Sequence, residues 1–297
     1  MSFPPRMCCF ALCGAAMVAV AASLLTVSPA AAQTAAGEAS DAAPVVPNYW
    51  DPRRRISPPK RAEVKSIRFA TTDDFPPFNF SGSDGRLAGF HIELARLVCE
   101  ELVVPCSMRA VEWDALVPTI EEERADALIA GLRRTRQTAE TLEFSDVYLR
   151  LPARFLAHRD TEADGDISPE TIAGKSVAVV AGSAHAAFVE TFFEDAALRY
   201  FDSENGARSA LKDGGVDLHF GDGLSLSFWL NGTDAAGCCR FVGGPYTAVR
   251  YFGDGLRIAV ARDNIVLRDA LNYALQRLHE EGRFTELYLR YFPISFY

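Results

Sequence analysis

The chain predicts an α/β fold with mainly parallel sheets, and three observations lead there. Short runs of small and branched apolar residues alternate with longer amphipathic stretches, the order of repeated strand–helix units. Gly, Pro, Asp and Ser cluster between those runs and mark loops. Hydrophobic residues make up 49% of the 297, enough for a sizeable core. The length suits about two domains. Lys and Arg number 30 against 39 Asp and Glu, a net charge of −9. That balance argues against nucleic-acid binding, which needs a basic face. The five His residues are scattered, and no His-Glu-x-x-His or paired Cys-x-x-Cys spacing is present, so neither a metal nor another cofactor is expected.

The first 66 residues stand apart. Arg6 precedes an uncharged apolar run from Met7 to Val27, broken by Ser28-Pro29. Ala30-Ala31-Ala32 then offers a small-residue cleavage site, so residues 1–32 read as an export signal. A retained membrane anchor is the competing reading, since about 20 apolar residues can span a bilayer. Residues 33–66 are rich in Ala and Pro, carry Arg53-Arg54-Arg55 and keep no apolar period. They read as a disordered tether, which cannot bury enough surface to offset its ordering entropy.

The elements then follow in order. Ile67–Thr71 is a short strand. Asp73–Phe78 must be a loop, because Pro76 and Pro77 exclude helix, and Ser81–Gly85 is a turn. Phe90–Leu102 is a helix with Phe90, Leu94, Leu97, Val98 and Leu102 on one stripe. Met108–Val111 is a strand, Trp113–Glu123 a helix, and Ala127–Ala130 a strand that leads into the loop Gly131–Thr138. Lys175–Val180 is a strand, after which Ser183 caps a helix to about Phe193. Val216–Phe220 and Leu256–Ala261 are strands, and Val266–Glu281 and Phe284–Tyr291 are helices. Open sheets of this kind bind ligands at the carboxyl ends of their strands. The junctions to inspect are therefore Thr71–Phe78, Ala130–Thr138, Val180–His185 and Phe220–Gly223.

Several motifs occur in a recognisable order. They are Phe75-Pro76-Pro77-Phe78; Asp84-Gly85 with Gly89-Phe90 and Glu93-Leu94; Trp113-Asp114-Ala115-Leu116-Val117-Pro118; Ala125–Gly131; Phe144–Tyr148; and Gly174–Val179 followed by Gly182-Ser183. Together, over about Ile67 to Phe292, the set resembles the family 3 extracellular solute-binding proteins, the periplasmic amino-acid receptors of ABC transporters. The resemblance implies a two-lobe, type II periplasmic-binding-protein-like fold. Residues 67–152 plus 254–297 would form one lobe and 153–253 the other, with two crossover strands near Leu149–Phe155 and Arg250–Leu256 as the hinge. It also implies a monomer that closes on a small-molecule ligand and is read by a transporter permease.

The resemblance assigns an ammonium-binding acid to Asp222, which also reads as an ordinary turn acid between Gly221 and Gly223. Ser183 opens a helix whose free N–H groups suit an anion, a role compatible with plain capping, and His185, two residues on, either reaches the ligand or lies on the surface. Phe75 and Trp113 match positions that touch the ligand side chain, with core packing as the alternative, and Asp73 lines the same loop. The family's carboxylate clamp is Thr-x-x-Arg. Here the loop reads Arg133-Arg134-Thr135-Arg136-Gln137-Thr138, so Thr135 matches and Thr138 stands where the Arg belongs. A hydroxyl cannot make the two parallel bonds of a guanidinium. Arg133 is the expected substitute, and all three Arg residues on the rim is the alternative.

Cys99 and Cys106 match a spacing that carries a disulfide in some amino-acid binders, and export would permit one. The state of the adjacent Cys238 and Cys239 stays open between a vicinal bond, free thiols and an intermolecular bond. The expected function is a periplasmic receptor, not an enzyme. The alternatives are an accessory periplasmic protein with a degenerate cleft, or a dehydratase of the cyclohexadienyl or arogenate type on the same fold.

Overall fold

The computed structural model describes residues 46–50, 53, 56–60, 63–161, 167–292 and 294–297. The expected export signal and the first part of the expected tether lie outside the described residues. One five-stranded sheet takes β1 (Ile67–Thr71), β2 (Cys106–Ala110), β3 (Ala127–Leu128) and β4 (Leu142–Phe144). From much later in the chain it also takes β10 (Ala259–Ala261), in the order β2-β1-β3-β10-β4. A second sheet takes β5 (Ala153–His158), β6 (Ser176–Val180), β7 (Ala197–Phe201), β8 (Leu218–Asp222) and β9 (Cys239–Tyr246), in the order β7-β6-β8-β5-β9.

The sheets are less parallel than expected. In each, two pairings are parallel and two antiparallel. The strands that break the pattern are β10 and β5, which arrive from the other sheet. The parallel neighbours are joined by helical crossovers: α1 (Phe90–Leu102) and α2 (Leu116–Glu121) in the first sheet, α3 (Ala184–Phe192) and α4 (Glu204–Lys212) in the second. β5 and β10 have no such crossover and run the other way. The two passages between sheets lie side by side. Leu256 N–H donates to the Leu149 carbonyl at 2.7 Å, and Tyr148 N–H donates to the Leu256 carbonyl at 3.1 Å.

Three longer helices follow, α5 (Gly223–Asn231), α6 (Ile265–Glu280) and α7 (Arg283–Tyr291), and the expected loop Asp73–Phe78 holds a short strand, Asp74–Phe75, in a small antiparallel sheet with Asn79–Ser81 and Leu87–Ala88. The apolar stripe of α1 (Phe90, Leu94, Val98) packs in one core with Phe69, with Leu271 and Leu275 of α6, and with Phe284 and Tyr288 of α7. The second sheet has its own core around Phe155, Val177, Val179, Phe188 and Phe220. The expected helix 113–123 divides into a tight turn, Trp113–Ala115, and α2. Within the expected tether, Val46 and Val64 are buried in the first core, and Trp50 makes an edge contact with His279 at 4.7 Å. These apolar anchors hold the described part of that segment against the body, which the Ala- and Pro-rich composition does not suggest.

The loop that carries Phe75 is fixed by the start of α1. Phe90 N–H donates to the Pro77 carbonyl at 2.9 Å and His91 N–H to the Phe78 carbonyl at 2.8 Å. Gly89 makes this possible: it sits at φ 123°, and a Cβ there would lie 2.3 Å from the Phe78 oxygen. Glu93, on the outer side of α1, pairs with Arg290 and Tyr291 of α7 and is spent on packing.

Cys99 and Cys106 are joined as expected, and Cys238 and Cys239 are joined to each other. The first bond closes a loop of separation 7. Replacing both Cys99 and Cys106 by Ser should cost about 2–3 kcal/mol through the looser unfolded chain. Urea unfolding of the double variant against the oxidised parent checks this, and an unchanged midpoint would remove the bond from the stability account.

Candidate functional site

The carboxyl end of β8 and the loop after β1 face each other across a cavity of about 850 Å³. Pro76 and Pro77 line it from the first sheet's side, and Asp222 with residues of α4 and α5 from the second. Outside that lining, a series of contacts links Phe75, Arg133 and His185 to Asp222. Phe75 stacks on Phe78 at 4.9 Å and covers Gly131, its Cε1 3.3 Å from where a Cβ would sit. Two residues on, the Arg133 guanidinium carbon reaches to 3.9 Å from the Cβ position of Gly253. The neighbouring Phe252 stacks on His185 at 5.2 Å, and His185 in turn interacts electrostatically with Asp222. Chain segments far apart in sequence thus meet at the strand ends.

Each expected residue has a definite place. Asp222 is the last residue of β8 and caps α5, its Oδ1 accepting from Ser225 N–H at 2.7 Å. Ser183 caps α3 by accepting from Ala186 N–H at 3.0 Å. Phe75 is 38% exposed. Asp73 is exposed and accepts from the Ser81 hydroxyl at 3.0 Å. Trp113 is 51% exposed and has no ring partner among the described residues.

The Arg133–Thr138 loop explains its own departure from the motif. Thr138 Oγ1 accepts from Thr135 N–H at 2.8 Å and donates to the Arg133 carbonyl at 2.9 Å. Thr138 N–H donates to Thr135 Oγ1 at 3.1 Å. Both hydroxyls are therefore consumed in holding the loop and in starting the helical turn Thr138–Thr141. The Arg133 guanidinium makes no hydrogen bond or ion pair to any described residue.

Charge concentrates at the tip of β8, beyond what the motifs indicate. Burial raises the Asp222 carboxyl above its ordinary range, with Glu204 adding to the rise and the Ser225 N–H, His185 and Arg208 opposing it. Burial likewise lowers His185, against the pull of Asp222 and Glu204. Glu204, the first residue of α4, lies over Gly221: a Cβ there would be 3.4 Å from both of its carboxylate oxygens. Burial works to raise Glu204, but the His219 hydrogen bond and Arg208 outweigh it and leave the carboxyl low. His219 is fully buried, with Nε2 3.1 Å from Glu204 Oε2 and Nδ1 2.9 Å from the Ala178 carbonyl. Both ring nitrogens thus face oxygen atoms, one of a carboxylate and one of a backbone carbonyl. Glu204, Arg208 and His219 escape a reading by motif. The available signal was a polar His219 between the core residues Leu218 and Phe220, where a buried side chain needs a partner.

The comparisons with known proteins agree with this architecture. Residues 67–294 match the model of the bacterial extracellular solute-binding proteins, family 3. The L-arginine-binding protein of Pseudomonas aeruginosa is 28% identical over 249 residues, covering 82% of this chain and 93% of that protein. The lysine/arginine/ornithine-binding periplasmic protein of Escherichia coli is 25% identical over 235 residues, covering 78% and 90%. Among solved structures, the L-cystine solute receptor of Neisseria gonorrhoeae in its unliganded open conformation superposes with a TM-score of 0.66. It is 20% identical, and the match covers 78% of this chain and 95% of that one. Substrate binding domain 2 of Lactococcus lactis GlnP, in an open conformation, gives a TM-score of 0.63 at 16% identity, covering 78% and 97%. At these identities the structural matches establish the fold.

Proposed function

Because the chain belongs to the bacterial extracellular solute-binding proteins of family 3, we propose that its cleft captures an amino acid or a related ammonium-bearing solute for an ABC importer. The observation that carries the reading is Asp222 lining the cavity at the end of β8, with a series of contacts that links it through His185 and Arg133 to Phe75. Asp222 is held above its ordinary range by burial, so a guest's ammonium would recover an electrostatic cost already present in the empty site. Arg133 stands free to meet an anionic group. Phe75 offers a face for the remainder of the guest. Relatives named for arginine, lysine and ornithine support a ligand with an amino group, and relatives named as periplasmic support that compartment. Residues 1–32 would supply the export signal. The receptor would act as a monomer that closes about the passages at Leu149 and Leu256 and presents its closed form to the permease.

The relatives are binding proteins, and we read this chain as one rather than as an enzyme. Incubation with prephenate or arogenate should therefore give no product, and turnover would reverse the reading. The test of the receptor is a thermal-shift screen of the mature protein against amino acids, amines and small acids, since a ligand bound only by the native state raises Tm. Silence across the whole screen would favour the degenerate cleft, a reading that the committed Thr138 hydroxyl keeps in view.

Arg133→Ala should weaken the ligand so identified about tenfold or more, the scale of one charge-assisted hydrogen bond. Arg136→Ala should leave calorimetric affinity within about twofold, as a solvated rim charge does. The opposite ranking would overturn the role given to Arg133.

A further inference from the structure

The cavity next to Asp222 runs along the groove between α4 and α5. Arg208 and Lys212 lie one turn apart on α4, with Asn205 and Ser209 on the same wall. Phe228 and Trp229 of α5 form the opposite wall, and Asp234 closes the far end. At about 850 Å³ the space falls in the upper part of the range of pockets that bury a drug-sized molecule. A single amino acid does not require it.

The charges in this groove are arranged around Ser225. Its N–H donates to Asp222 Oδ1 at 2.7 Å, and its hydroxyl accepts from Arg208 Nη2 at 2.5 Å. A carboxylate and a guanidinium are thus fixed two hydrogen bonds apart, on either side of one residue. Arg208 is well enclosed, its side chain 12% exposed. Its Nε–H is buried without an acceptor, because Glu204 Oε2 is 3.7 Å away and already engaged with His219. Lys212 Nζ donates at 2.5 Å to the Asp234 carbonyl oxygen. Arg208 and Lys212 thus line the groove beyond Asp222, beside two aromatic rings. The loop at Arg133–Thr138, outside this cavity, carries three arginines and two hydroxyls bonded within the loop.

We propose that the α4–α5 groove is a second subsite for a terminal carboxylate, so that the favoured guest is a zwitterion of dipeptide length, its ammonium at Asp222 and its carboxylate at Arg208 and Lys212. This rests on the receptor reading above and narrows it. The backbone of such a guest lies along Ser225, and its second side chain lies against Phe228 or Trp229. An opposite charge at each end and a rigid aromatic wall between them fix the direction in which the guest enters.

The test is calorimetry on the full mature protein with the free amino acids and the dipeptides Gly-Gly, Ala-Phe and Ala-Lys, each dipeptide also as its C-terminal amide. At least one dipeptide should bind about tenfold or more tightly than its constituent amino acids, and its amide should lose about tenfold, one charge-assisted contact. In Lys212→Gln, whose folding is checked by an unchanged Tm, the ratio between dipeptide and amide should fall by about threefold or more, as half of a shared cation pair is removed. Equal affinity of amides and free acids, or a ratio unmoved in Lys212→Gln, overturns the groove. If free amino acids bind best and Asp222→Asn abolishes that binding, the groove fails while the receptor stands. If no compound binds, both fall together.

Discussion

Asp222→Asn should weaken capture of the cognate solute by at least about tenfold, or roughly 1.4 kcal/mol, while leaving the fold almost as stable as before. The two effects separate because Asp222 has two duties. As a cap it supplies Oδ1 to the Ser225 N–H at 2.7 Å, and an Asn side-chain oxygen can still accept that bond. As a charge it faces the cavity from a buried position, and Asn removes that attraction. Asp222→Ala removes both, and should add about 1 kcal/mol of lost stability from the missing cap. Calorimetry gives the first quantity and urea unfolding the second. Affinity unchanged in the Asn variant would take Asp222 out of the site, whatever the Ala variant does.

The second large effect lies in the core beneath the cleft. His91 is fully buried and joins a chain of polar groups through the first sheet's core. Its Nδ1 is 2.8 Å from Asn79 Oδ1, and its Nε2 is 2.7 Å from the Tyr148 hydroxyl. Asn79 Nδ2 donates to the Thr72 carbonyl at 3.0 Å and to its hydroxyl at 2.8 Å. With its amide nitrogen used this way, Asn79 offers His91 only an oxygen, so His91 is neutral with the proton on Nδ1 and accepts from Tyr148. Burial pushes its pKa down to about 3 from 6.5. The unfolded chain therefore binds one more proton than the native state between those two values. Stability from this group is complete above pH 6.5 and falls as pH drops through the window toward 3. Between pH 7 and pH 5 the loss should be about 2 kcal/mol. His91→Gln, less stable at pH 7, should show a shallower fall over the same range in urea melts. An equal slope in both proteins would remove His91 as the cause.

The elements with a strong apolar period were readable from the residues alone. α1 occupies Phe90–Leu102 as its stripe predicts, and α6 and α7 begin within a residue of their expected starts. Elements with mixed signals were not. β9 contains Gly243, Gly244 and Pro245, which argue against a strand. It survives as an edge strand with an irregular register between Val242 and Tyr246. α4 holds Gly206 and α5 opens on Gly223, so neither announces a helix locally. Tertiary packing overrides such weak preferences. The same division runs through the site. Phe75, Arg133 and Asp222 could be named because they sit in motif loops at strand ends. Glu204, Arg208 and His219 could not, because their meaning lies in who faces whom across 15 or fewer residues of intervening chain.

The residues by themselves determined the alternation of strands and helices, the acidic surface charge and the loops from which a ligand would be held, because these depend on local period, composition and turn chemistry. Only the tertiary structure decided that half the pairings within the two five-stranded sheets run antiparallel, that the Thr138 hydroxyl is spent inside its own loop and that a groove with two bases opens beside Asp222. Those are facts of which groups meet in space, whether near or remote in the chain, and electrostatics and hydrogen bonding act through distance in space.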